Sequence, residues 1–248
     1  MLVSKRFSVG RRRMLALIDE LDSETGQARS LYLPPMLELA EKERLLKEVV
    51  GLDASIPDII TIIAGSGTGG VIFWGVYRKL LVLPSFPIRE KYMAFGYDSE
   101  QLHSLFQPEY TVALLLVRMG SFAIGVCRGE ELVLSKVGTG LVHARHKKGG
   151  SSQRRFQRRQ DNEVDVFVSR VCQHVKEQLE PIAKEIDYMV YGGGRQAIHL
   201  LQKECRFLRQ FDGCLLPPLL DIPPPRKVVL ESAISRVYSS SIIEWRET

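Results

Sequence analysis

Thr111–Met119 is a nearly continuous apolar run, and together with the two segments after it this run limits the fold sharply. A tight turn at Gly120 leads into Ser121–Cys127, and Glu131–Val137 comes soon after. Three short strand-forming segments in succession predict an antiparallel meander. Beyond them Phe156, Val164, Phe167, Val171, Cys172, Val175 and Leu179 recur at three- and four-residue spacing. That spacing predicts a long amphipathic helix, broken near Pro181. Asp187–Tyr191 then reads as a strand feeding Gly192-Gly193-Gly194, with a helix over Arg195–Glu204. A short strand within Leu215–Ile222 and a final helix over Arg226–Ser240 complete the pattern. Strands followed by alternating helix and strand imply an α/β layer with a mixed sheet.

The N-terminal part has a different texture. A helix is expected around Arg12–Leu21, a short strand at Leu31-Tyr32-Leu33 stopped by Pro34-Pro35, and a surface helix within Met36–Val50. Val71–Val76, Lys79–Leu83 and Glu90–Phe95 have the composition of strands. Asp98 followed by Gln101 resembles a capping box for a short helix ending before Pro108. At 248 residues and 45% hydrophobic, the chain can bury one large core or two small ones. The expected division is 1–108, a smaller α+β domain, and 109–248, a mixed-sheet α/β domain.

Cys127, Cys172, Cys205 and Cys214 are widely and irregularly spaced, which fits neither a disulfide framework nor a zinc knuckle. Reduced thiols in a cytoplasmic protein are the expectation. No apolar h-region follows the basic N-terminus, so a secretory signal is not expected. Ile59–Tyr77 lacks charge, but eight of its nineteen residues are Gly, Ser or Thr, so a Gly-rich turn is read there and not a membrane span.

The net charge of +5 is modest, yet it is concentrated. Residues 143–159 hold Arg145, Lys147, Lys148, Arg154, Arg155, Arg158 and Arg159 with no acid among them. The last four fall in the expected first turns of the long helix, where the macrodipole disfavours cations. Arg154 with Arg158, and Arg155 with Arg159, also form like-charge i,i+4 pairs. Such a pattern predicts an external polyanion, and RNA phosphate is its natural source.

Between the cations lies Gly149-Gly150-Ser151-Ser152-Gln153. Two glycines allow close approach of backbone to a ligand. A Gln side chain does not titrate, so it cannot be a general base. It can orient a water, and a neighbouring backbone N–H can stabilise a developing oxyanion.

This loop, with its cationic flanks, resembles the Gly-Gly-Gln catalytic loop of eukaryotic and archaeal peptide-chain release factors. It is still closer to the Vms-like (ANKZF-type) proteins, which detach nascent chains from tRNA on stalled large ribosomal subunits. Those relatives also place small residues between the Gly pair and the Gln, as Ser151-Ser152 does here. The preceding strands, the Arg-rich helix and the strand–glycine–helix of 187–204 extend the resemblance from about Tyr110 to the C-terminus. The resemblance implies a release-factor-like catalytic domain over 109–248 and a peptidyl-tRNA hydrolase. Gln153 would be catalytic, with Gly149 and Gly150 shaping the loop, and no metal or organic cofactor would be required. Arg145, Lys147, Lys148, Arg154, Arg155, Arg158 and Arg159 would hold rRNA and the tRNA acceptor end. The large ribosomal subunit, rRNA and peptidyl-tRNA are the implied partners, with residues 1–108 as a ribosome-docking domain. The Asn-Ile-Lys-Ser tetrapeptide of codon-reading domains is missing, which favours codon-independent rescue of stalled subunits.

Two other functions stay open at this point. The same basic loop suits a non-catalytic ribosome- or tRNA-binding rescue factor, as in the relative Pelota, which acts by binding without the loop. Some Vms-like relatives instead cut the tRNA near its CCA end, which makes a tRNA 3′-end nuclease the third possibility. Other motifs are decoys. Gly65, Gly67 and Gly70 satisfy G-x-G-x-x-G, but the strand former Val71-Ile72-Phe73-Trp74 follows where a dinucleotide site needs a helix. Gly193-Gly194-Arg195-Gln196 repeats the loop pattern at a strand–helix junction, where glycine serves packing. His143 and His146 have metal-like spacing but are crowded by cations.

Overall fold

The computed structural model describes residues 2–24, 26–51, 56–76, 78–142 and 153–247. In chain order the elements are β1 (Leu2–Val9), α1 (Arg11–Asp22), β2 (Ala28–Leu33), α2 (Leu39–Val50), α3 (Ile56–Ala64), β3 (Gly70–Gly75), β4 (Lys79–Leu83), β5 (Tyr92–Phe95) and α4 (Glu100–Phe106). There follow β6 (Thr111–Arg118), β7 (Ser121–Arg128), β8 (Glu131–Thr139), α5 (Gln153–Leu179), β9 (Tyr188–Gly193), α6 (Arg195–Glu204), β10 (Leu215–Leu220), α7 (Lys227–Val237) and β11 (Ser240–Glu247). Two 3-10 segments, Glu180–Glu185 and Arg206–Cys214, follow α5 and α6.

The chain divides into two compact units, one of residues 1–108 with 235–248 and the other of 109–234. In the first, six strands form an antiparallel sheet in the order β1-β11-β4-β3-β2-β5. Both of its faces are buried. Tyr32, Val71, Phe73, Leu80, Val82 and Ile242 face a core built with Met14, Leu17, Ile18 and Leu21 of α1 and Leu102 and Phe106 of α4. Leu31, Leu33, Ile72, Leu81 and Ile243, one residue out of step, face Leu45, Leu46, Ile59 and Ile63 of α2 and α3. Strands covered on both sides read as continuous apolar runs without alternation, as β3 and β4 do.

The C-terminal unit expected over 109–248 therefore ends early. The final helix stops at Val237, and β11 runs into the first sheet between β1 and β4. Eight residue pairs from Leu2↔Glu247 to Val9↔Ser240 join the two ends of the chain. With this strand included, the first unit is nearly as long as the second and is not a small domain.

The second unit carries a five-stranded mixed sheet in the order β10-β9-β6-β7-β8. β6, β7 and β8 form the antiparallel meander, while β9 pairs with β6 and β10 with β9 in parallel. Ala113, Leu115, Val117, Phe122, Ile124 and Val126 pack on one face against Phe167, Val168, Val171, Val175 and Leu179 of α5 and Ala197, Ile198 and Leu201 of α6. On the other face α7 comes close at Gly125, where a Cβ would stand 2.7 Å from the Leu230 side chain.

Candidate functional site

The loop-bearing segment leaves the sheet at a clamped point. Gly140, just after β8, donates its N–H to the Gly120 carbonyl at 3.0 Å. A Cβ on Gly140 would lie 2.7 Å from the ring of Phe167, so the strand end sits directly against the middle of α5. Arg170 of α5 ties the same point from outside, its Nη1 donating to the Thr139 carbonyl at 2.9 Å. Val142 packs against the core beneath.

The chain re-enters the described structure at Gln153, the first residue of α5. Among the described side chains of this helix, Val164 is the first to pack on the core and Phe167 the first to be buried. Val164 stands ~16 Å along the helix from Gln153, at 1.5 Å per residue. Arg155, Gln157, Arg158 and Arg159 are exposed there, and the first turn holds no acid. Such a stretch gains little from burial, so its place at the head of α5 rests on continuity with the packed turns below. Its cations face the positive end of the helix dipole, which weakens them as structural elements and leaves them available to an anion.

Of the residues singled out by the sequence, Arg155, Arg158 and Arg159 are brought together on the first two turns of α5. Arg159 is already engaged, its Nε standing 3.3 Å from the Glu163 carboxylate, an i,i+4 pair. That partner was legible in the sequence as an Arg–Glu spacing of four. Gly149, Gly150, Arg145, Lys147, Lys148, His143 and His146 lie outside the described residues, as do the side chains of Gln153 and Arg154.

The other motifs resolve into structure. Gly193 has φ 111° and a Cβ there would overlap the Val117 carbonyl, while Gly194 donates its N–H to that carbonyl at 2.9 Å and caps α6. This glycine pair closes β9 onto β6. The Gly65–Gly70 turn connects helix α3 to strand β3, the reverse of the strand–helix order of a dinucleotide site. The capping box expected at Asp98 is not formed. Ser99 holds the N-cap position of α4 and donates to Asp22, whereas Asp98 accepts from the Glu100 N–H at 3.3 Å and from the Tyr92 hydroxyl at 2.7 Å.

The cysteines also differ from expectation. Cys172 of α5 and Cys205 at the end of α6 form a disulfide, because the two helices pack side by side on the sheet and bring together residues 33 apart in sequence. Cys127 and Cys214 are thiols outside this bridge. Cys127 is buried with its Sγ directed at the Val112 carbonyl, and burial pushes the Cys214 thiol up, so neither is set up as a nucleophile. Further along α5, His174 lies over Phe122 and contacts the Glu177 carboxylate at 2.9 Å. Hydrogen bonds from His174, and then from Gln173, hold the Glu177 carboxyl below its usual range. Among the described residues no group of three or more His, Cys, Asp or Glu side chains could hold a metal, and no helix is long and apolar enough to cross a membrane.

The model of the Actinobacteria/chloroflexi VLRF1 release factor family matches residues 110–243, more than half of the chain. Peptide chain release factor subunit 1 of Aeropyrum pernix is 23% identical over 211 residues, covering 74% of this chain and 57% of that protein. The same factor of Saccharolobus solfataricus is 22% identical over 264 residues, covering 93% and 70%. The chain thus spans little more than half of the Aeropyrum factor. Among solved structures, the Vms1 mitochondrial localization core is similar with a TM-score of 0.46 and 13% identity, over 76% of this chain and 82% of that one. Archaeal translation termination factor aRF1 is similar with a TM-score of 0.42 and 18% identity, over 93% and 73%.

Proposed function

The chain belongs to the Actinobacteria/chloroflexi VLRF1 release factor family, and we propose that it is a peptidyl-tRNA hydrolase that frees nascent chains from stalled large ribosomal subunits without reading a codon. The observation that carries this reading is the cationic head of α5, which begins at Gln153 and exposes Arg155, Arg158 and Arg159. A loop that must reach a tRNA ester inside RNA needs such a carrier, narrow and positively charged. Gly149 and Gly150 permit close approach, and Gln153 with neighbouring backbone N–H groups orients the attacking water and stabilises the oxyanion. Arg145, Lys147, Lys148, Arg154, Arg155, Arg158 and Arg159 hold rRNA and the tRNA acceptor end, and the unit containing 1–108 docks on the ribosome. The chemistry calls for neither metal nor organic cofactor, and its setting is the cytoplasm, where ribosomes are.

The test is release of peptide from purified peptidyl-tRNA on large ribosomal subunits, comparing the protein with its Gln153→Ala variant. Release by the parent and a loss of about 100-fold or more in the variant are expected, as for removal of an oxyanion-stabilising group. Equal release by both would refute the role of Gln153. Tight ribosome binding without release would assign a purely binding factor, and a shortened tRNA 3′ end would assign a nuclease.

A further inference from the structure

α6 has two unlike faces. Ala197, Ile198 and Leu201 are buried in the core, while Arg195, His199 and Lys203 are exposed at a spacing of four residues. The 3-10 segment after it adds Arg206 and Arg209, both exposed and three apart, which places them on one side of a 3-10 helix. From Arg195 to Lys203 the stripe extends ~12 Å. Residues 195–214 contain only two acids, Glu204 and Asp212. Among the described residues Arg195, Lys203, Arg206 and Arg209 have no carboxylate partner. On α2, by contrast, Arg44 and Lys47 are each matched with glutamates. Arg195 stands in the first turn of α6, where the helix dipole disfavours a cation, and among the described residues no acid lies in that turn.

The sheet fixes where this stripe begins. β6 and β9 are parallel, and β8, antiparallel to β7 as β6 is, runs the same way. The C-terminal ends of β6, β8 and β9 therefore share one edge. β8 ends at that edge with Thr139, and α6 starts from it after β9, with Arg195 first. β9 and β8 are three strand spacings apart, or ~14 Å. A polymer held at the head of α5 can thus continue onto α6 on the same unit.

We propose that Arg195, Lys203, Arg206 and Arg209, with His199 among them, form a second RNA-binding surface that takes the phosphodiester backbone. It rests on the proposed function only for the class of polymer, not for the hydrolytic step. A lipid surface is the poorer match, because an interfacial helix alternates its cations with exposed apolar side chains, and the exposed positions of α6 are Arg195, Gln196, His199, Lys203 and Glu204.

The probe is a fluorescein-labelled RNA minihelix ending in single-stranded CCA, titrated with the full chain by anisotropy between about 50 and 300 mM KCl. In the variant Arg195→Gln/Lys203→Gln/Arg206→Gln/Arg209→Gln, affinity falls about ten-fold or more. The slope of log affinity against log salt drops by about 3, at 0.7–0.9 per phosphate contact. The charge-keeping variant Arg195→Lys/Arg206→Lys/Arg209→Lys retains both. Should the quadruple variant not fold, single Arg195→Gln and Arg206→Gln variants must each reduce the slope by about 0.7–0.9. Unchanged affinity and slope in a folded variant overturns the proposal. So does retained RNA affinity with lost binding to phosphatidylserine vesicles, which would assign the stripe to a membrane surface. Peptide release is read separately: release by a protein whose stripe variant binds RNA normally refutes the stripe alone, and lost RNA affinity in the variant of a protein that releases nothing refutes hydrolysis alone.

Discussion

Gly140 and Phe167 set the point from which the loop-bearing segment departs. The glycine has room for no side chain, since a Cβ would stand 2.7 Å from the ring, and the ring is itself buried against Phe122. Close approach of the end of β8 to the middle of α5 brings the outgoing strand and the returning helix together at their base. Gly140→Ala should destabilise the protein by about 1–3 kcal/mol, the usual cost of overpacking, as measured by urea denaturation. A change below experimental error would mean that Phe167 can move aside and that the junction is not a clamp.

The paired glycines at the end of β9 should behave very differently from each other. Gly193 combines φ 111° with a Cβ position on the Val117 backbone, so Gly193→Ala should cost about 3 kcal/mol or more. Gly194 has φ −82° and its nearest neighbour, the Ala197 Cβ, lies 3.8 Å away, so Gly194→Ala should cost less than about 1 kcal/mol. Urea melts of the two variants check the order. Similar costs would contradict the assignment of this turn to closing the sheet.

Along the head of α5 the arginines should be unequal. Arg158→Gln is expected to weaken RNA binding and lower the salt slope by about 0.7–0.9, the share of one phosphate contact. Glu163→Gln is expected to strengthen binding, because it removes the carboxylate paired with Arg159. Anisotropy titrations of the two variants decide this, and weaker binding by Glu163→Gln would show that the pair positions Arg159 for its contact.

The Cys172–Cys205 bridge joins α5 to α6 across 33 residues. In the chain-entropy account, closing a loop of that length stabilises by about 3–4 kcal/mol. Thiol titration of unfolded, unreduced protein should count two thiols, Cys127 and Cys214, and reduction should lower stability by that amount. Four titrating thiols would refute the bridge.

Acid should selectively weaken the His174–Glu177 contact. The Glu177 carboxyl is held below its usual value, so its contribution is present above the unfolded-state value and fades as pH falls through the lower, folded one. The stability difference between the parent and Glu177→Gln is expected at pH 7 and should shrink toward pH 3 in paired urea melts. A difference independent of pH would show that the carboxylate charge is not what the contact uses.

Much of the second unit was legible from residue order alone. The meander announces itself through three apolar segments separated by turns, and α5 through its three- and four-residue spacing, because both are local patterns of burial. The concentration of cations over 143–159, and the departure from ordinary helix charging at Arg155 and Arg158, are likewise local. Other features depended on residues far apart in the chain. The segment after Ser240 drew no reading from its residues, and it becomes a strand by pairing with β1 at the opposite end of the chain and with β4. Cys172 and Cys205 look unrelated until α5 and α6 pack side by side. The α6 stripe has a readable spacing, but its exposure and its place at the same sheet edge as the loop segment come from the parallel course of β6 and β9. Periodicity and charge act over a few residues and are written into the sequence. Strand order, burial and the meeting of distant side chains are settled only when the sheets close.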